Sequence, residues 1–347
     1  MKRTATPYIL LALLTLCGCA KRPPVEIDSG MRLVMGTYAR AVVVAGDKRT
    51  ADAAIADAFA QLETVDALMS DYKSDSEVSR VNTNAFREPV QVSTATFAVI
   101  DKSLYYSRLT DGAFDITVGP ITNLWRAAAR SRKPPTDEDI AAARGKVGYE
   151  KLIIDPNART IRFAVEGMAL DLGAIAKGYA IDLALEAARR HPIHGVLVDI
   201  GGDLRTFGRP TRNKTHWLIG LDDPAQGPDA VGTTPLLVLQ LQDAAIATSG
   251  DYRRFYLVGH ERINHIIDRA TASGAKGLAS VTVIAPLAVD ADALATAVTV
   301  LGPEKGLALI ETIPDTEAIL IPSLTPEHPA PRFIKTPGAD SYIRKQD

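Results

Sequence analysis

The sequence has very few cysteines, and both of them, Cys17 and Cys19, lie close to the N-terminus. If a leader is cleaved before Cys19, the mature chain keeps one cysteine only. A disulfide within one mature chain and a thiolate metal site are then both excluded. Any metal site in this protein must therefore use oxygen ligands.

The sequence also lacks an excess of either charge. Lys and Arg number 39, Asp and Glu number 41, the net charge is −2, and no long basic run is present. Nucleic acid is therefore not an expected partner. No complete Walker phosphate loop or dinucleotide-type glycine fingerprint occurs, and Ser249 lacks the Gly-x-Ser-x-Gly setting of an esterase. The composition of the whole sequence, 46% hydrophobic and 23% charged residues, is typical of a folded globular protein.

The N-terminus has the pattern of an export signal. Lys2 and Arg3 form a positive n-region, and the apolar run 8–16 is too short to span a bilayer as a mature helix. The run ends in Leu16-Cys-Gly-Cys-Ala20, which resembles a bacterial lipoprotein signal cleaved before Cys19. An ordinary secretory signal with two incidental cysteines is the alternative.

The lipoprotein interpretation divides the chain into segments with different roles. These are a signal peptide (1–18), a tether that starts at the lipidated Cys19 (19–30), one large domain (31–322) and a polar C-terminal tail (323–347). Acyl chains would anchor the protein to a membrane while the domain stays in water. Because Ala20 and not Asp follows the cysteine, the segment resembles lipoproteins sorted to an outer membrane. The expected location is the bacterial cell envelope, facing the periplasm.

Helical and extended patterns interleave through the domain. Apolar residues at helical spacing predict helices over 51–69 and 93–109. A hairpin is predicted over 152–163, and two successive helices over 290–301 and 303–311. Because hairpins interrupt a simple βαβ alternation, the predicted fold class is α+β (mixed α/β), in a single interlocked domain.

The stretch 171–182 concentrates the most chemistry. Asp171 is followed by a glycine turn and by a helical segment that carries Lys177. A carboxylate, backbone N–H groups and a cation in one loop suit a polyphosphate with a hard metal ion. Asp292 and Thr296, four residues apart on a predicted helix, could complete a metal site. The plainer alternative is a helix N-cap at Asp171 and a solvated Lys177.

Other candidate residues lie in turns and in a short extended segment. The segment 247–254 could hold phosphate, or it could be a polar turn. The alternation in Asn264-His265-Ile-Ile-Asp268 predicts a strand with His265 and Ile267 on one face and Asp268 on the other. His265 could act as a general base, although a structural histidine is the alternative. The aromatics Tyr38, Tyr72, Phe114 and Trp125 could stack on a planar ring or pack in the core.

Eight segments in order carry a family resemblance. They are Met35-Gly-Thr37, Ser70 to Ser79, Asp111 to Pro120, Asp171 to Asp182, Val198 to Leu204, Ala247 to Arg254, His265 to Asp268, and Ala291 to Leu301. Each motif alone is only moderately specific. Together they resemble the ApbE family of FAD:protein FMN transferases, from about residue 31 to residue 321, and they imply an ApbE-like domain.

The resemblance implies roles for individual residues. FAD contacts would come from Met35, Tyr72, Ala113, Phe114, Asp115, Asp171, Lys177 and Ile267. Mg²⁺ would bind Asp292, Thr296 and the backbone carbonyl of Ala174, and Ala295 stands where some relatives carry a further acidic ligand. His265 matches the catalytic histidine that helps to activate the acceptor hydroxyl. The chain departs from the family pattern at Arg269, where members often have proline.

The implied reaction is Mg²⁺-dependent transfer of the FMN moiety of FAD to a Thr or Ser hydroxyl of an acceptor protein, with release of AMP. The implied acceptor is a flavoprotein subunit of a membrane redox complex. Two alternatives stay open. A site that admits water would make the protein a Mg²⁺-dependent FAD pyrophosphatase, and a site without turnover would make it a periplasmic FAD carrier.

Overall fold

The protein is described by a computed structural model that covers residues 23–211, 214–226, 234–250, 255–328 and 330–345. The predicted signal peptide, the lipidation site Cys19 and the first residues of the tether lie outside these ranges. So does the part of the candidate phosphate turn from Asp251 to Arg254.

Helices and strands interleave along the described chain, as the sequence predicts. The helices are α1 (Lys48–Met69), α2 (Glu77–Asn84), α3 (Thr94–Leu109), α4 (Gly119–Ser131), α5 (Asp137–Gly145), α6 (Ala176–Arg189) and α7 (Ala288–Ile310), with 3₁₀ turns at Tyr149–Lys151, Pro224–Gln226 and Pro337–Tyr342. The strands are β1 (Val25–Asp28), β2 (Arg32–Val34), β3 (Thr37–Ala45), β4 (Val90–Gln91), β5 (Leu152–Asp155), β6 (Thr160–Phe163), β7 (Ile193–Ile200), β8 (Asp203–Gly208), β9 (Trp217–Leu221), β10 (Leu237–Leu241), β11 (Ala245–Gly250), β12 (Phe255–Val258), β13 (Glu261–Asn264), β14 (Ile267–Asp268), β15 (Ser273–Gly274), β16 (Leu278–Ala285), β17 (Glu317–Pro322) and β18 (Ile334–Lys335).

A nine-stranded antiparallel sheet forms the centre of the fold. Its order is β1-β3-β7-β8-β11-β16-β17-β18, with β2 paired to β3. The side chains of β3 alternate between its two faces, since Ala41 and Val43 join the large core with α1, α6 and α7, whereas Val42 and Val44 join a smaller core under β9 and β10. The sheet is therefore covered on both faces, and the helical face carries the functional residues described below.

Helix α6 lies between α1 and α7 and approaches α7 very closely. A Cβ atom on Gly178 would lie 2.2 Å from the carbonyl oxygen of Ala288. Such a distance is possible only without a side chain, so the glycine lets the two helix backbones touch. This contact sets the spacing between the residues that α6 and α7 bring to the site.

We expect Gly178→Ala to destabilise the fold by about 2 kcal/mol or more, since the added methyl meets backbone and not a flexible side chain. Gly145→Ala is the matched control: it also lies in a helix, but no atom lies within 4 Å of the added Cβ. The control should leave stability unchanged or raise it by up to ~1 kcal/mol. Urea denaturation of both variants measures the difference, and equal effects would contradict the close approach.

The long α7 helix is interrupted at Gly302, whose φ of 76° and ψ of 179° are not helical. Pro303 follows, and the chain then resumes as a second helical segment. The two helices predicted over 290–301 and 303–311 are thus confirmed. Among the described helices, α7 alone is long and apolar enough to cross a membrane by length and composition, but it packs inside the core against β11 and β16.

The structure has one short strand in the predicted tether and another in the predicted C-terminal tail. Residues Val25–Asp28, expected in the tether, form edge strand β1, which pairs antiparallel with β3 and has Val25 and Ile27 half-buried on one face. Strand β18 lies in the predicted polar tail and extends the sheet beyond β17. Further along the same segment, Tyr342 ends a 3₁₀ turn, and Ile343 makes an isolated bridge to Leu239.

Candidate active site

The central group of the candidate site is Lys177, held between two carboxylates. Its Nζ donates a hydrogen bond to Asp203 and a longer one, 3.2 Å, to Oδ1 of Asp292. Asp203 begins β8 directly after a glycine pair and also accepts a bond from the Thr248 amide at 2.9 Å. Oδ2 of Asp292 accepts from the Gly178 amide at 3.0 Å, so α6, α7, β8 and β11 all meet at this point.

The group carries one positive and two negative charges in a buried place. Asp203 and Asp292 are each 4% exposed. Burial raises the pKa of Asp292 to about 6, although Lys177 opposes this rise. Burial likewise disfavours the Lys177 ammonium, but the charges of Asp203 and Asp292 outweigh it and hold the pKa of Lys177 above its usual value. The remaining negative charge is a feature that a bound divalent cation would balance.

The donors around Asp292 fit a hard cation such as Mg²⁺. Thr296 lies one turn further along α7 and is half-buried, on the same helix face. The Gly178 amide, which lies in the first turn of α6 and has no partner within that helix, donates to Asp292. No group of three or more His, Cys, Asp or Glu side chains in the described chain could hold a metal by itself. A metal here would therefore need neutral oxygens beside Asp292. Thr296 shares the helix face of Asp292, and the carbonyl of Ala174 is the further ligand that the resemblance implies.

Ala295 is 1% exposed and packs in the large hydrophobic core. Its methyl side chain carries no ligand atom, so it provides no further acidic group at the position that the resemblance singles out. Any cation at Asp292 would have one carboxylate fewer from α7 than a protein with an acid at this position.

Asp171 belongs to a separate ion-pair group. Its Oδ2 lies 3.4 Å from Arg126, and Arg126 also pairs with Asp71 at 2.5 Å. Burial and the Asp71 charge raise the pKa of Asp171, while Arg126 opposes them. Asp171 is not the N-cap of α6, since that position is Ile175 and has no side-chain cap bond; Oδ1 of Asp171 accepts from Gly173 at 2.9 Å. The alternative of a simple helix cap is wrong.

The aromatic candidates fall into two kinds. Phe114 is 1% exposed and packs edge-on against Tyr106, and Trp125 is buried with its Nε1 bonded to the Ala272 carbonyl. Both are core residues, so neither side chain is open to a planar ring. Tyr38 and Tyr72 are 63% and 79% exposed, and the ring of Tyr72 lies 4.8 Å from the Arg126 guanidinium.

Two of the three side chains in the segment 113–115 are buried and not open to a ligand. Besides the buried Phe114, the Asp115 carboxylate is enclosed: it accepts from the amide and hydroxyl of Thr117 and from the Tyr149 amide. Ala113 is half-buried. Contacts from this stretch to a ligand would therefore come from Ala113 and from backbone groups.

Met35 lies at the tip of the β2–β3 hairpin with a positive φ of 52°, and Gly36 follows it with a φ of 69°. The tight turn places a half-buried Met35 side chain at the edge of the large core. Adjacent to it on β3, the carbonyl of Tyr38 accepts from the Gly201 amide, just before Asp203. The hairpin tip therefore lies beside the glycine pair that leads into the central group.

The predicted strand through His265 is wrong in its detail. Strand β13 ends at Asn264, the chain bends at His265 and Ile266, and β14 starts at Ile267. The cause is the Asn264 side chain, whose Oδ1 accepts from the Ile266 amide at 3.0 Å and closes a turn. Ile266 and Ile267 are both 6% exposed, so the expected alternation of faces does not hold.

Four acidic or basic residues of the site escaped the sequence reasoning: Asp71, Arg126, Asp182 and Asp203. Asp203 had a usable signal, because a polar residue that directly follows a buried strand and a glycine pair is well placed at a sheet edge. Arg126 and Asp71 had none, since their pairing depends on how α4 packs against the loop after α1.

Asp182 has no proposed ligand role in the stretch 171–182, and it lies at a contact between α6 and α7 and not on the open surface of α6. Its two carboxylate oxygens accept from the amides of Ala288 and Val289, both at 2.9 Å, and Oδ1 also accepts from Arg205 at 3.0 Å. Helix α7 has no cap bond from its own N-cap residue, Leu287. Asp182 therefore supplies the cap from a neighbouring helix and fixes the end of α7 that carries Asp292.

We expect Asp182→Ala to lower the unfolding free energy by about 2–3 kcal/mol, because the amides of Ala288 and Val289 lose their acceptor and Arg205 keeps only the longer contact to Glu186. Asp47→Ala removes the exposed N-cap of α1, whose Oδ1 accepts from Thr50, and serves as the control. It should cost about 1 kcal/mol. Denaturant titration compares the two, and a smaller cost at Asp182 than at Asp47 would overturn the assigned cap.

Comparison with known protein families assigns the chain to one of them. The model of the ApbE family matches residues 35–320. The chain belongs to the ApbE family. Among curated ApbE relatives, the FAD:protein FMN transferase of Vibrio cholerae is 36% identical over 310 residues, covering 87% of this chain and 89% of the relative. The FAD:protein FMN transferase of Treponema pallidum is 32% identical, covering 88% of each.

Solved ApbE structures have the same fold. The ApbE protein of Thermotoga maritima has a TM-score of 0.79 at 28% identity and covers 93% of this chain and 100% of that one. The flavin transferase ApbE of Vibrio cholerae has a TM-score of 0.77 at 30% identity, with 92% and 99% covered. The predicted family and the predicted α+β class are confirmed.

Proposed function

We propose that this ApbE chain transfers the FMN moiety of FAD to a Thr or Ser hydroxyl of an acceptor protein, with Mg²⁺ bound, and releases AMP. The enzyme class follows from its relatives, since curated members at 30–36% identity over most of the chain are FAD:protein FMN transferases. The single structural observation that supports the proposed chemistry is the buried Lys177–Asp203–Asp292 group, which joins a cation to surplus negative charge at the start of a helix.

The residues of this chain would divide the work as follows. Asp292, Thr296 and the carbonyl of Ala174 would hold Mg²⁺, which would neutralise pyrophosphate oxygens and stabilise charge on the departing AMP. Lys177 would offer its ammonium to phosphate oxygens at the start of α6, and Asp203 keeps that ammonium in place.

Transfer requires one bond to form and one to break. The acceptor oxygen forms a bond to the phosphorus of the FMN half, and the pyrophosphate bond breaks with its electron pair leaving on AMP. His265 would take the hydroxyl proton as general base. The Asn264 side chain closes the turn that contains His265, so the backbone of His265 is held by a hydrogen bond across it.

An FAD pyrophosphatase and an FAD carrier would each give products different from those of the transferase in one assay. Purified protein, FAD and Mg²⁺ are incubated with and without an acceptor, and AMP and FMN are measured by chromatography. The proposal predicts AMP in amounts equal to acceptor-bound FMN, and little AMP without acceptor. Rapid AMP and free FMN without acceptor would indicate the pyrophosphatase, and tight FAD binding without AMP would indicate the carrier.

We further propose that the protein acts in the bacterial cell envelope. The supporting feature is the Leu16-Cys-Gly-Cys-Ala20 segment, which suits lipidation at Cys19 and an outer-membrane anchor facing the periplasm. The acceptor would then be a flavoprotein subunit of a membrane redox complex. Metabolic labelling with a radiolabelled fatty acid, compared between wild type and Cys19→Ser, tests the anchor; label on the variant would contradict it.

A further inference from the structure

The His265 turn belongs to a small rigid unit, residues 264–275. Strands β14 and β15 pair within it, and the Ala275 amide donates to the Ile266 carbonyl at 2.8 Å. The Asn264 side chain ties both ends, because Oδ1 accepts from Ile266 and Nδ2 donates to the Ala275 carbonyl at 3.3 Å. Bonds across the whole unit mean that a shift at one end moves the other.

One side chain of this unit, Arg269, reaches across to the segment 111–115. Its guanidinium donates to Oδ2 of Asp115 at 3.0 Å, to Glu150 at 3.2 Å and to the Asp111 carbonyl at 3.4 Å. The Asp115 carboxylate is 1% exposed, whereas that of Glu150 is 55% exposed. The buried Asp115 pair is therefore the stronger part of the contact.

The surroundings of the guanidinium are shaped to receive it. A Cβ atom on Gly112 would lie 2.1 Å from the Arg269 guanidinium, so only glycine leaves room for it there. The Tyr149 ring lies 5.0 Å away, within the range of a cation–π contact. A planar, multi-donor cation satisfies all these neighbours at once, which a lysine ammonium does not.

We propose that Arg269 is a positioning residue that clamps the His265 unit to the Ala113–Asp115 segment. The clamp fixes the acceptor-side histidine with respect to the stretch that offers Ala113 and backbone groups to the flavin. This inference rests on the proposed function, because it assigns those two segments to the two substrates. A misplacement of about 1 Å between reacting groups can cost on the order of 100-fold in rate.

Hydrogen exchange of the ligand-free protein tests the clamp without any activity. In Arg269→Ala, the amides of Ile266, Ala272 and Ala275 should exchange at least about tenfold faster than in wild type, since the unit opens more readily. Arg189→Ala is the matched control: Arg189 also pairs with a carboxylate, Glu186, at 3.0 Å and lies 4.2 Å from a ring, Phe207, but is remote from the unit in sequence. Unchanged exchange in Arg269→Ala would contradict the clamp.

Kinetics then test what the clamp does. With FAD and acceptor, kcat for FMN transfer should fall about 10- to 100-fold in Arg269→Ala, while the Kd for FAD stays within about threefold. Arg269→Lys keeps the charge beside Asp115 and should give an intermediate kcat, which also serves if the alanine variant fails to fold. A kcat within about twofold of wild type in both variants, or a loss confined to FAD affinity, would overturn the proposal. Wild type that transfers no FMN would refute the proposed function instead, and the exchange measurement would still decide the clamp.

Discussion

Asp292→Asn should lower the rate of FMN transfer by about 10² to 10³-fold or more at saturating FAD. The substitution keeps the size of the side chain, and the amide oxygen can still accept from the Gly178 amide, while the longer bond from Lys177 is lost and Lys177 keeps Asp203 as its partner. What is lost is the one carboxylate that α7 offers to a cation beside Thr296. The measurement is the initial rate of AMP release with acceptor, over a range of Mg²⁺ concentrations.

The control for this variant is Asp290→Asn on the same helix. Asp290 pairs with Lys102 at 2.8 Å. Within the described part of the chain, Lys177 pairs with Asp203 and Asp292 and not with Asp290. Its rate should stay within about threefold of wild type, because Asp290 pairs with Lys102 and lies outside the Lys177–Asp203–Asp292 group. A rate for Asp292→Asn close to that of Asp290→Asn would remove the assigned metal ligand.

Lys177→Met should be the most destabilising charge change in the described chain. It removes the ammonium between Asp203 and Asp292 and leaves two buried carboxylates facing each other. Breaking a buried pair in this way costs about 3–5 kcal/mol. Transfer should also be lost, since Lys177 is the cation at the start of α6. Urea denaturation at pH 7 gives the stability and the AMP assay gives the rate.

The loss in Lys177→Met should depend on pH in a definite direction. Without the ammonium, which opposes the rise, the pKa of the Asp292 carboxyl rises further in the folded protein, so the folded state binds more protons than the unfolded state above pH 4. Stability then falls as pH rises, and the variant should recover part of its loss at pH 5 compared with pH 8. A pH-independent loss would show that Lys177 stabilises the fold by packing and not by charge.

Lys48→Met and Asp203→Asn provide the comparison for that variant. Lys48 pairs with Asp52 on the surface of α1, where the two side chains are 71% and 49% exposed, so its loss should cost no more than about 0.5 kcal/mol. Adding Asp203→Asn to Lys177→Met should restore stability in part, because one buried charge disappears. Equal losses of stability in the Lys48 and Lys177 variants would contradict the stabilising role of the buried Lys177–Asp203–Asp292 group.

Local patterns predicted the regular elements well. The helix over 51–69, the hairpin over 152–163 and the break before Pro303 are all present, because periodicity, turn residues and glycine act over short distances. Strand β1 was missed, since a four-residue edge strand gains its stability from pairing with β3 and shows no strong pattern of its own.

The candidate site is built by contacts between residues far apart in the sequence, which no local pattern predicts. The sequence places Lys177 and Asp292 115 positions apart, and only the packing of α6 on α7 brings them together. The same is true of Asp182. Its spacing on α6 fits a surface residue, but its carboxylate accepts from the first amide of α7. Asp171 and Lys177 were expected to act together from one loop, and the fold gives them separate ionic partners.

The mass of the acceptor protein tests the central claim most directly. Acceptor is incubated with this chain and FAD, in Mg²⁺ or in EDTA, and its intact mass and modified residue are determined by mass spectrometry. We expect a gain equal to FMN less one water on a single Thr or Ser, in the Mg²⁺ sample only. An unmodified acceptor in the presence of released AMP, or equal modification in EDTA, would contradict it.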